Sequence, residues 1–560
     1  MPIFPTSIRL FLLMTAFCPL AARGRLVAQI ANVPQTGIPG GYRIAGTVVS
    51  KTDGHPLALA RVVIRDVKNQ QNFQSLITSE DGKFEFSGLP AGKYSLEGAK
   101  RGFISGNYDQ HDQFSTAIVT GAGLDTESLV LRLSPDAVIT GKVLDEAGES
   151  VRHATVALYY LNHQEGIDQI HEFRRTQTDD LGTYEITPLT PGTYFLSASA
   201  KPWYAVHRYS EPNNSEPRSP PEPATNVDRS LDVAYPLTYY ADVTDADSAT
   251  PIPVRGGERL QVDIHLNAVP ALRLIFHVPG DNNSGFSFPQ LEQPAFDGST
   301  FVEIDNSRMV SPGIVEIAGI PAGRYNIRLQ RPQSATQING VDLSKDGEEI
   351  DASHGEALSS IKAAVQVPGG ITPSMQLVVS LRSGSRIPAA WQRVDSKGEA
   401  EFQQISPGRY EVLVWGSGKR YSIAHILAEG ATASGHTLTL TAGASPSVSL
   451  ILATGSAEVQ GKAKRAGKAF AGAMVVLVPK NPEGNRDLFR RDQSDLDGTF
   501  ALHGVVPGSY TVLAIENGWD LDWSQPAVIA AYMKRGRMIK VGNQAGQPLT
   551  LAEAVEVQSK

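Results

Sequence analysis

The chain of 560 residues contains a single cysteine, Cys18, and it stands in an N-terminal apolar stretch. Beyond that stretch no disulfide can form, so each folding unit must rely on its own apolar core. Long apolar runs are equally scarce. Leu10 to Leu20 is too short for a confident membrane span, and no other segment approaches one. Charge of one sign is lacking too. A formal net charge of −8 is mild for this length and leaves no clustered basic field of the kind a broad nucleic-acid surface needs. Signatures of chemistry are also missing. There is no H-E-x-x-H pair to meet a zinc ion, no G-x-x-x-x-G-K-[ST] phosphate loop, no strand-borne G-x-G-x-x-G and no G-x-S-x-G nucleophile elbow.

What is present starts with a leader. Arg9 supplies a positive charge, an apolar run holding Leu12, Leu13, Met14 and Phe17 follows, and small residues come behind it at Ala21, Ala22 and Ala28. This is the pattern of a secretory signal peptide, expected over residues 1–28, with cleavage after Ala22 or Ala28 both open and a linker over 29–40. The chain as a whole has 41% hydrophobic and 19% charged residues, the composition of a globular protein. Its 52 glycines and 36 prolines imply many turns and short strands. At about one domain per 100–200 residues, the length predicts roughly three to five domains.

One signature recurs five times. It reads Asp81-Gly82-Lys83-Phe84-Glu85-Phe86 then Pro90-Ala91-Gly92-Lys93-Tyr94; Leu181-Gly182-Thr183-Tyr184 then Pro191-Gly192-Thr193-Tyr194; Pro312-Gly313-Ile314 then Pro321-Ala322-Gly323-Arg324-Tyr325; Lys397-Gly398-Glu399-Ala400-Glu401-Phe402 then Pro407-Gly408-Arg409-Tyr410; and Asp497-Gly498-Thr499-Phe500 then Pro507-Gly508-Ser509-Tyr510. The first Gly turns the chain at positive φ. Phe84 and Phe86 flanking Glu85 mark a strand with one buried face. The Pro-Gly pair predicts a second tight turn with its Gly in the left-handed region, and the Tyr after it can bury its ring while hydrogen-bonding through its hydroxyl. Opening strands precede several units, as in Ile44-Ala45-Gly46-Thr47-Val48-Val49, Ile139-Thr140-Gly141-Lys142-Val143-Leu144 and Val459-Gln460-Gly461-Lys462-Ala463. Such regular strand spacing predicts sandwiches.

At these residues the sequence resembles the carboxypeptidase regulatory-like domain, well in units one, two and five and in part in units three and four. The resemblance implies a small Ig-like, transthyretin-like sandwich of the carbohydrate-binding-like type, repeated along an exported bacterial protein. It implies a fold and no chemistry. The expected fold class is therefore all-β, a tandem array of about five Ig-like/transthyretin-like β-sandwiches. The expected spans are 41–134, 135–269 with a Pro/Ser-rich loop near 210–229, 270–368 (divergent), 369–454 (divergent) and 455–560. A short helix is expected over Ala527–Lys534. Connections between units are short, and contacts between them are expected to be mostly local.

Several residues invite a chemical reading and admit a plainer one. His163, His171 and Glu172 are the nearest approach to a zinc set, but they sit in a polar loop-like stretch. Asp495, Asp497 and Gly498 resemble the start of a calcium loop, but strand residues Phe500 and Leu502 stand where further ligands belong. Trp203-Tyr204, Tyr239-Tyr240 and Trp415 would stack on sugars or proteins if exposed, and otherwise pack in cores or at edges. Trp519 and Trp523 read as a packing cluster. No catalytic, cofactor-binding or metal-binding residue is assigned and no cofactor is expected. The expected function is a non-enzymatic binding or structural protein of the cell envelope, secreted, periplasmic or cell-surface associated. Its expected partner is a polysaccharide or an envelope or extracellular protein, with no nucleic acid and no membrane span after signal removal. Two alternatives stay open: a hydrolase with its site in the irregular second unit, and an accessory part of a larger envelope transport or peptidase system.

Overall fold

The computed structural model describes residues 41–560 apart from 122, 208–227, 279–287, 305, 331–334, 368, 371–375, 384–389, 417–419, 456 and 543–546. The expected leader (1–28), the linker (29–40) and most of the Pro/Ser-rich loop near 210–229 lie outside the described residues.

The fold is all-β, and each of the five repeats builds two facing sets of strands around an apolar core. Alternation drives it. In Lys83–Leu89, Phe84, Phe86 and Leu89 are buried while Lys83, Glu85 and Ser87 face water, and in Gly92–Ala99 Tyr94 and Leu96 point inward. A common wiring runs through all five. The opening strand pairs antiparallel with the strand that precedes the Pro-Gly turn and parallel with the closing strand. Tyr42–Ser50 thus lies between Lys83–Leu89 and Leu129–Leu133, and Leu272–His277 lies between Ile314–Ile320 and Glu348–Asp351. Parallel pairing of first and last strands requires the intervening chain to cross over, which wraps each repeat around its own core. In the fifth repeat Val555–Ser559 pairs with both Ala457–Arg465 and Gly508–Glu516, joining the two sets into one nine-stranded sheet.

Ser359–Gln366 corrects one expected boundary. It was assigned to the third span, 270–368, but it pairs with Glu399–Ile405 and Ser447–Gly455 and so opens the fourth sandwich. Ile361, Ala363 and Val365 alternate into the core that holds Phe402 and Leu450, while the third sandwich is already closed by Glu348–Asp351.

The repeat's two turns behave differently. Gly82, Gly182, Gly313, Gly398 and Gly498 all take positive φ, as the sequence predicts. Of the glycines before the tyrosines, Gly408 alone does; Gly92, Gly192, Gly323 and Gly508 do not. The left-handed residue lies earlier, at Gly88, Gly319, Gln404 and Gly504. There the strand carries an extra residue: Ile44 faces Phe86 yet Tyr42 faces Leu89, and Val459 faces Leu502 yet Ala457 faces Val505. The same irregularity recurs in the other three sandwiches. It is a β-bulge, which bends the strand into the Pro-Gly corner.

Beyond the corner each tyrosine folds back. The hydroxyls of Tyr94, Tyr194, Tyr325, Tyr410 and Tyr510 donate to the carbonyls of Pro90, Thr190, Pro321, Ser406 and Val506 at 2.7–3.0 Å. All five rings are buried. This is the tyrosine corner of Ig-like sandwiches, in which a buried ring satisfies its hydroxyl on backbone a few residues upstream. It also crowds the glycine at two of these corners. A Cβ on Gly508 would stand 3.1 Å from the Tyr510 ring, and one on Gly323 3.4 Å from Tyr325.

In Met474–Pro479 every residue is buried. One face lines the core of the fifth sandwich, and the other is covered by Trp523 and by helix Pro526–Met533. The helix lies within a residue of its expected place.

Contacts between sandwiches are not confined to chain neighbours. The fifth meets the first and the second, and Gly40–Lys560 forms one compact unit. Mostly local contacts are expected from the sequence; the array instead also joins the fifth sandwich to the first and second.

Candidate functional site at the junction of the sandwiches

The segment 490–497 of the fifth sandwich carries most of the closure. Gln493 Nε2 donates to the Asp109 carbonyl at 2.5 Å and to Thr116 Oγ1 at 2.8 Å. Asp495 receives Lys93 Nζ at 2.5 Å and the Ala117 amide at 3.0 Å, and the Leu496 amide donates to the Ala117 carbonyl. Arg491 reaches both neighbours: its guanidinium pairs with Asp112 at 3.3 Å and donates to the Gln164 carbonyl at 2.7 Å. It lies over the Trp523 ring at 4.4 Å and the Phe114 ring at 5.2 Å. With its side chain 6% exposed, it is a buried cation satisfied by one carboxylate, one carbonyl and aromatic faces. Burial pulls its pKa below the ordinary arginine value, with Asp112 acting against that pull.

The second sandwich contributes the loop between Thr155–Asn162 and Gln169–Gln177. His163 is pinned there, with Nδ1 on Asp168 at 2.8 Å and Nε2 on the Leu521 carbonyl at 2.7 Å. Burial works to lower its pKa, but the Leu521 carbonyl and Asp168 outweigh it and raise it. Gly166 is needed for close approach as well as for its positive φ, since a Cβ there would lie 2.7 Å from the Trp523 ring. Glu165 chelates Arg382 of the fourth sandwich at 2.6 and 2.8 Å, and Glu411 holds the same guanidinium from its other side at 2.5 and 3.0 Å.

Between these contacts lies a cleft of about 800 Å³ lined from four sandwiches, including Phe114, Glu165, Arg382, Trp415, Arg491 and Trp523. Asp492 also lines it. Its carboxylate accepts the Ala501 amide at 2.6 Å, and burial pushes its pKa up to about 7. Burial raises Asp495 as well, with Lys93 pulling it back.

The sequence candidates fall as follows. His163 anchors an interface, His171 meets Gln169, and Glu172 pairs with Arg175, so the nearest approach to a zinc set is dispersed. Asp495 is engaged by Lys93 and Asp497 by Thr499. Among the described residues no three His, Cys, Asp or Glu side chains gather where they would hold a metal ion. Tyr239 is core, packed on Tyr159 and Phe296 where the second and third sandwiches meet. Trp203 is 84% exposed and lies edge-on to Tyr204, whose hydroxyl is held by Glu146. Trp415 is 49% exposed and lines the cleft. Trp519 and Trp523 form a packing cluster, with His111 stacked on Trp519 at 5.0 Å. Arg382, Arg491 and Asp492 were not singled out from the sequence, since neither period nor motif distinguishes a strand-borne charge that will be buried between sandwiches.

The carboxypeptidase regulatory-like domain model matches residues 43–122 and 138–212, the first sandwich and much of the second. The chain carries two carboxypeptidase regulatory-like domains. These regulatory-like domains supply the loops at Asp112 and His163 that meet the fifth sandwich. No curated protein matches the chain. Similar solved structures include the Bacillus anthracis TIE protein, at 12% identity over 75% of this chain and 76% of that one, with a TM-score of 0.17. A minor pilin of Streptococcus agalactiae matches at 13% identity over 41% of this chain and 97% of that one, with a TM-score of 0.21. The major pilin subunit of Bacillus cereus matches at 11% identity over 74% and 98%, with a TM-score of 0.13. Among the described residues no helix is long and apolar enough to cross a membrane.

Proposed function

We propose that the chain is a non-catalytic binding scaffold that works outside the cytoplasm, holding several sandwich surfaces in fixed relation so that a glycan or protein ligand meets them together. The observation that carries this reading is how four ionisable groups of the junction are used. Arg382, Arg491, Asp495 and His163 are each engaged by a partner on another sandwich. A catalytic acid or base needs a reacting atom within reach, whereas these groups spend their bonds on locking one sandwich to the next. Fixing loops in advance lowers the ordering cost of binding, which is what a scaffold supplies. The leader read from the sequence supports export.

The test has two arms. Purified mature protein should retain glycan or envelope-protein ligands on an array and leave them chemically intact. Turnover in a broad hydrolase screen, abolished by substitutions at the junction, would replace the scaffold with an enzyme. N-terminal sequencing of protein from the envelope or medium should find a start between Arg23 and Ile30; an intact Met1 in a cytosolic fraction would remove the export part of the proposal.

A further inference from the structure

The loop between Thr155–Asn162 and Gln169–Gln177 carries the second sandwich onto the fifth. His163 bonds to the Leu521 carbonyl, the Gln164 carbonyl receives Arg491, and the Gly166 carbonyl receives Ser524 Oγ at 3.2 Å. Of these groups only His163 changes charge near neutral pH. We infer that His163 docks as the doubly protonated imidazolium and acts as a pH latch, so that loss of its second proton loosens the second sandwich from the fifth. The inference concerns how firmly the array is closed and does not depend on which ligand the array meets.

Hydrogen-bond chemistry carries the argument. A neutral imidazole has one nitrogen that donates and one that accepts. Both nitrogens of His163 face atoms that accept: Nδ1 stands 2.8 Å from Asp168 Oδ1, and Nε2 stands 2.7 Å from the Leu521 carbonyl oxygen. A carbonyl and an ionised carboxylate donate nothing, so both bonds form together only when both nitrogens carry protons. A neutral ring with its proton on Nδ1 sets a lone pair against the Leu521 carbonyl. One with its proton on Nε2 keeps that bond but gives up Asp168, which orients the ring, and the charge that strengthens both contacts.

The surrounding groups favour the cation. On the fifth sandwich Asp522 Oδ1 lies 3.7 Å from Nε2, and Asp520 interacts with the charge of the same ring. The cations nearby have carboxylates of their own: Lys560 pairs with Asp520, and Arg491, on the adjacent Gln164 carbonyl, pairs with Asp112. Glu165 of the same loop is taken up by Arg382. Burial works to lower the pKa of His163, and the Leu521 carbonyl and Asp168 outweigh it, leaving it above the ordinary 6.5. A raised pKa means that the contact is complete below that ordinary value and is lost as pH rises through the raised one.

The experiment uses the full chain with isotope-labelled histidine, followed by NMR from about pH 6 to about pH 9, a range that spans the titration of an imidazole. The His163 signal is assigned by its loss in His163→Gln or its shift in Asp168→Asn. Its midpoint should lie above the ordinary 6.5 in the native chain and fall in Asp168→Asn, whose exposed carboxylate can be removed without touching a core. The Gly166 amide closes the loop on the His163 carbonyl at 2.9 Å. Corrected for intrinsic rate, its exchange should quicken about fivefold or more across the titration, the difference between a charge-assisted and an ordinary hydrogen bond. In His163→Gln that exchange should be fast throughout, with no step, while Asp492→Asn should keep the native response. The inference falls if the midpoint lies at or below the ordinary value, if the step in Gly166 exchange persists in His163→Gln, or if it vanishes in Asp492→Asn.

Discussion

Arg491→Ala tests the closed arrangement directly. The side chain has three attachments outside its own sandwich: the Asp112 carboxylate, the Gln164 carbonyl and the Phe114 ring. Breaking a buried ion pair from one side costs about 3–5 kcal/mol, because the remaining charge is left without its partner. Asp112 is 27% exposed and regains some water, so the cost falls to the bottom of that range or just below it, about 2–3 kcal/mol. The loss should act on docking and spare the sandwich cores, since Arg491 lines the junction and is no part of the fifth sandwich's apolar core. Hydrogen exchange separates the two. The amides of Ala117 and Leu496 bridge the first and fifth sandwiches, and they should exchange roughly 30-fold faster or more at a 2 kcal/mol loss. Amides of the fifth core, such as Val512 and Ala514, should hold their protection. Arg491→Met, which keeps an apolar stem against Trp523, should lose less. Unchanged exchange at Ala117 and Leu496 in Arg491→Ala would refute the claim that this contact holds the array closed, and uniform loss of protection through the whole chain would refute the claim that docking and core stability are separable.

Three further outcomes are expected. Tyr510→Phe removes the hydroxyl's bond to the Val506 carbonyl and keeps the ring, and should cost about 1 kcal/mol by denaturant unfolding, whereas Tyr510→Ala opens the core and should cost about 3–5 kcal/mol; equal costs would mean the hydroxyl's bonding dominates. Gly504→Val forces a β-branched residue to the bulge's positive φ and should cost on the order of 1–3 kcal/mol, while the same change at Gly508, whose φ is not positive, should act only by crowding Tyr510. Asp492 has a folded pKa of about 7 against an ordinary 3.8, so the folded protein holds this proton more tightly than the unfolded chain. Its stabilising contribution is full below about pH 4 and is lost as pH rises through about 7. Melting temperature should therefore fall across that window in the native chain and fall less in Asp492→Asn; parallel pH profiles would show that this carboxyl is not the group responsible.

The repeat was legible because its parts act locally. Positive φ at Gly82, Gly182, Gly313, Gly398 and Gly498 is demanded by a turn of a few residues, and alternation in Lys83–Leu89 needs only one covered face. The bulge was not legible in the same way. Gly88, Gly319 and Gly504 recur in the sequence, but Gln404 holds the left-handed position in the fourth sandwich and Thr187-Pro188 occupies the bulge in the second, so no single residue type marks it. The glycine before the tyrosine takes positive φ only at Gly408, whereas at Gly323 and Gly508 what the position faces is the ring two residues on. Ser359–Gln366 was misplaced for a related reason: an alternating strand states which of its faces is buried and leaves open which sheet receives it.

Sequence alone determined the all-β class, the number of repeats and the buried tyrosine in each, because period, turn chemistry and a large ring beside a tight corner act over a few residues. It also set out the regulatory-like domains that open the chain. Tertiary structure alone decided that the fifth sandwich returns to the first and second, that Arg491 and Asp495 are buried there, and that a cleft with Trp415 in its wall opens between them. Those contacts join residues as far as 406 positions apart, between Lys93 and Thr499. A single charged residue on a strand carries no local mark of whether it will meet water or another sandwich. That depends on the angles at which successive sandwiches join, which accumulate along the chain and have no period to read.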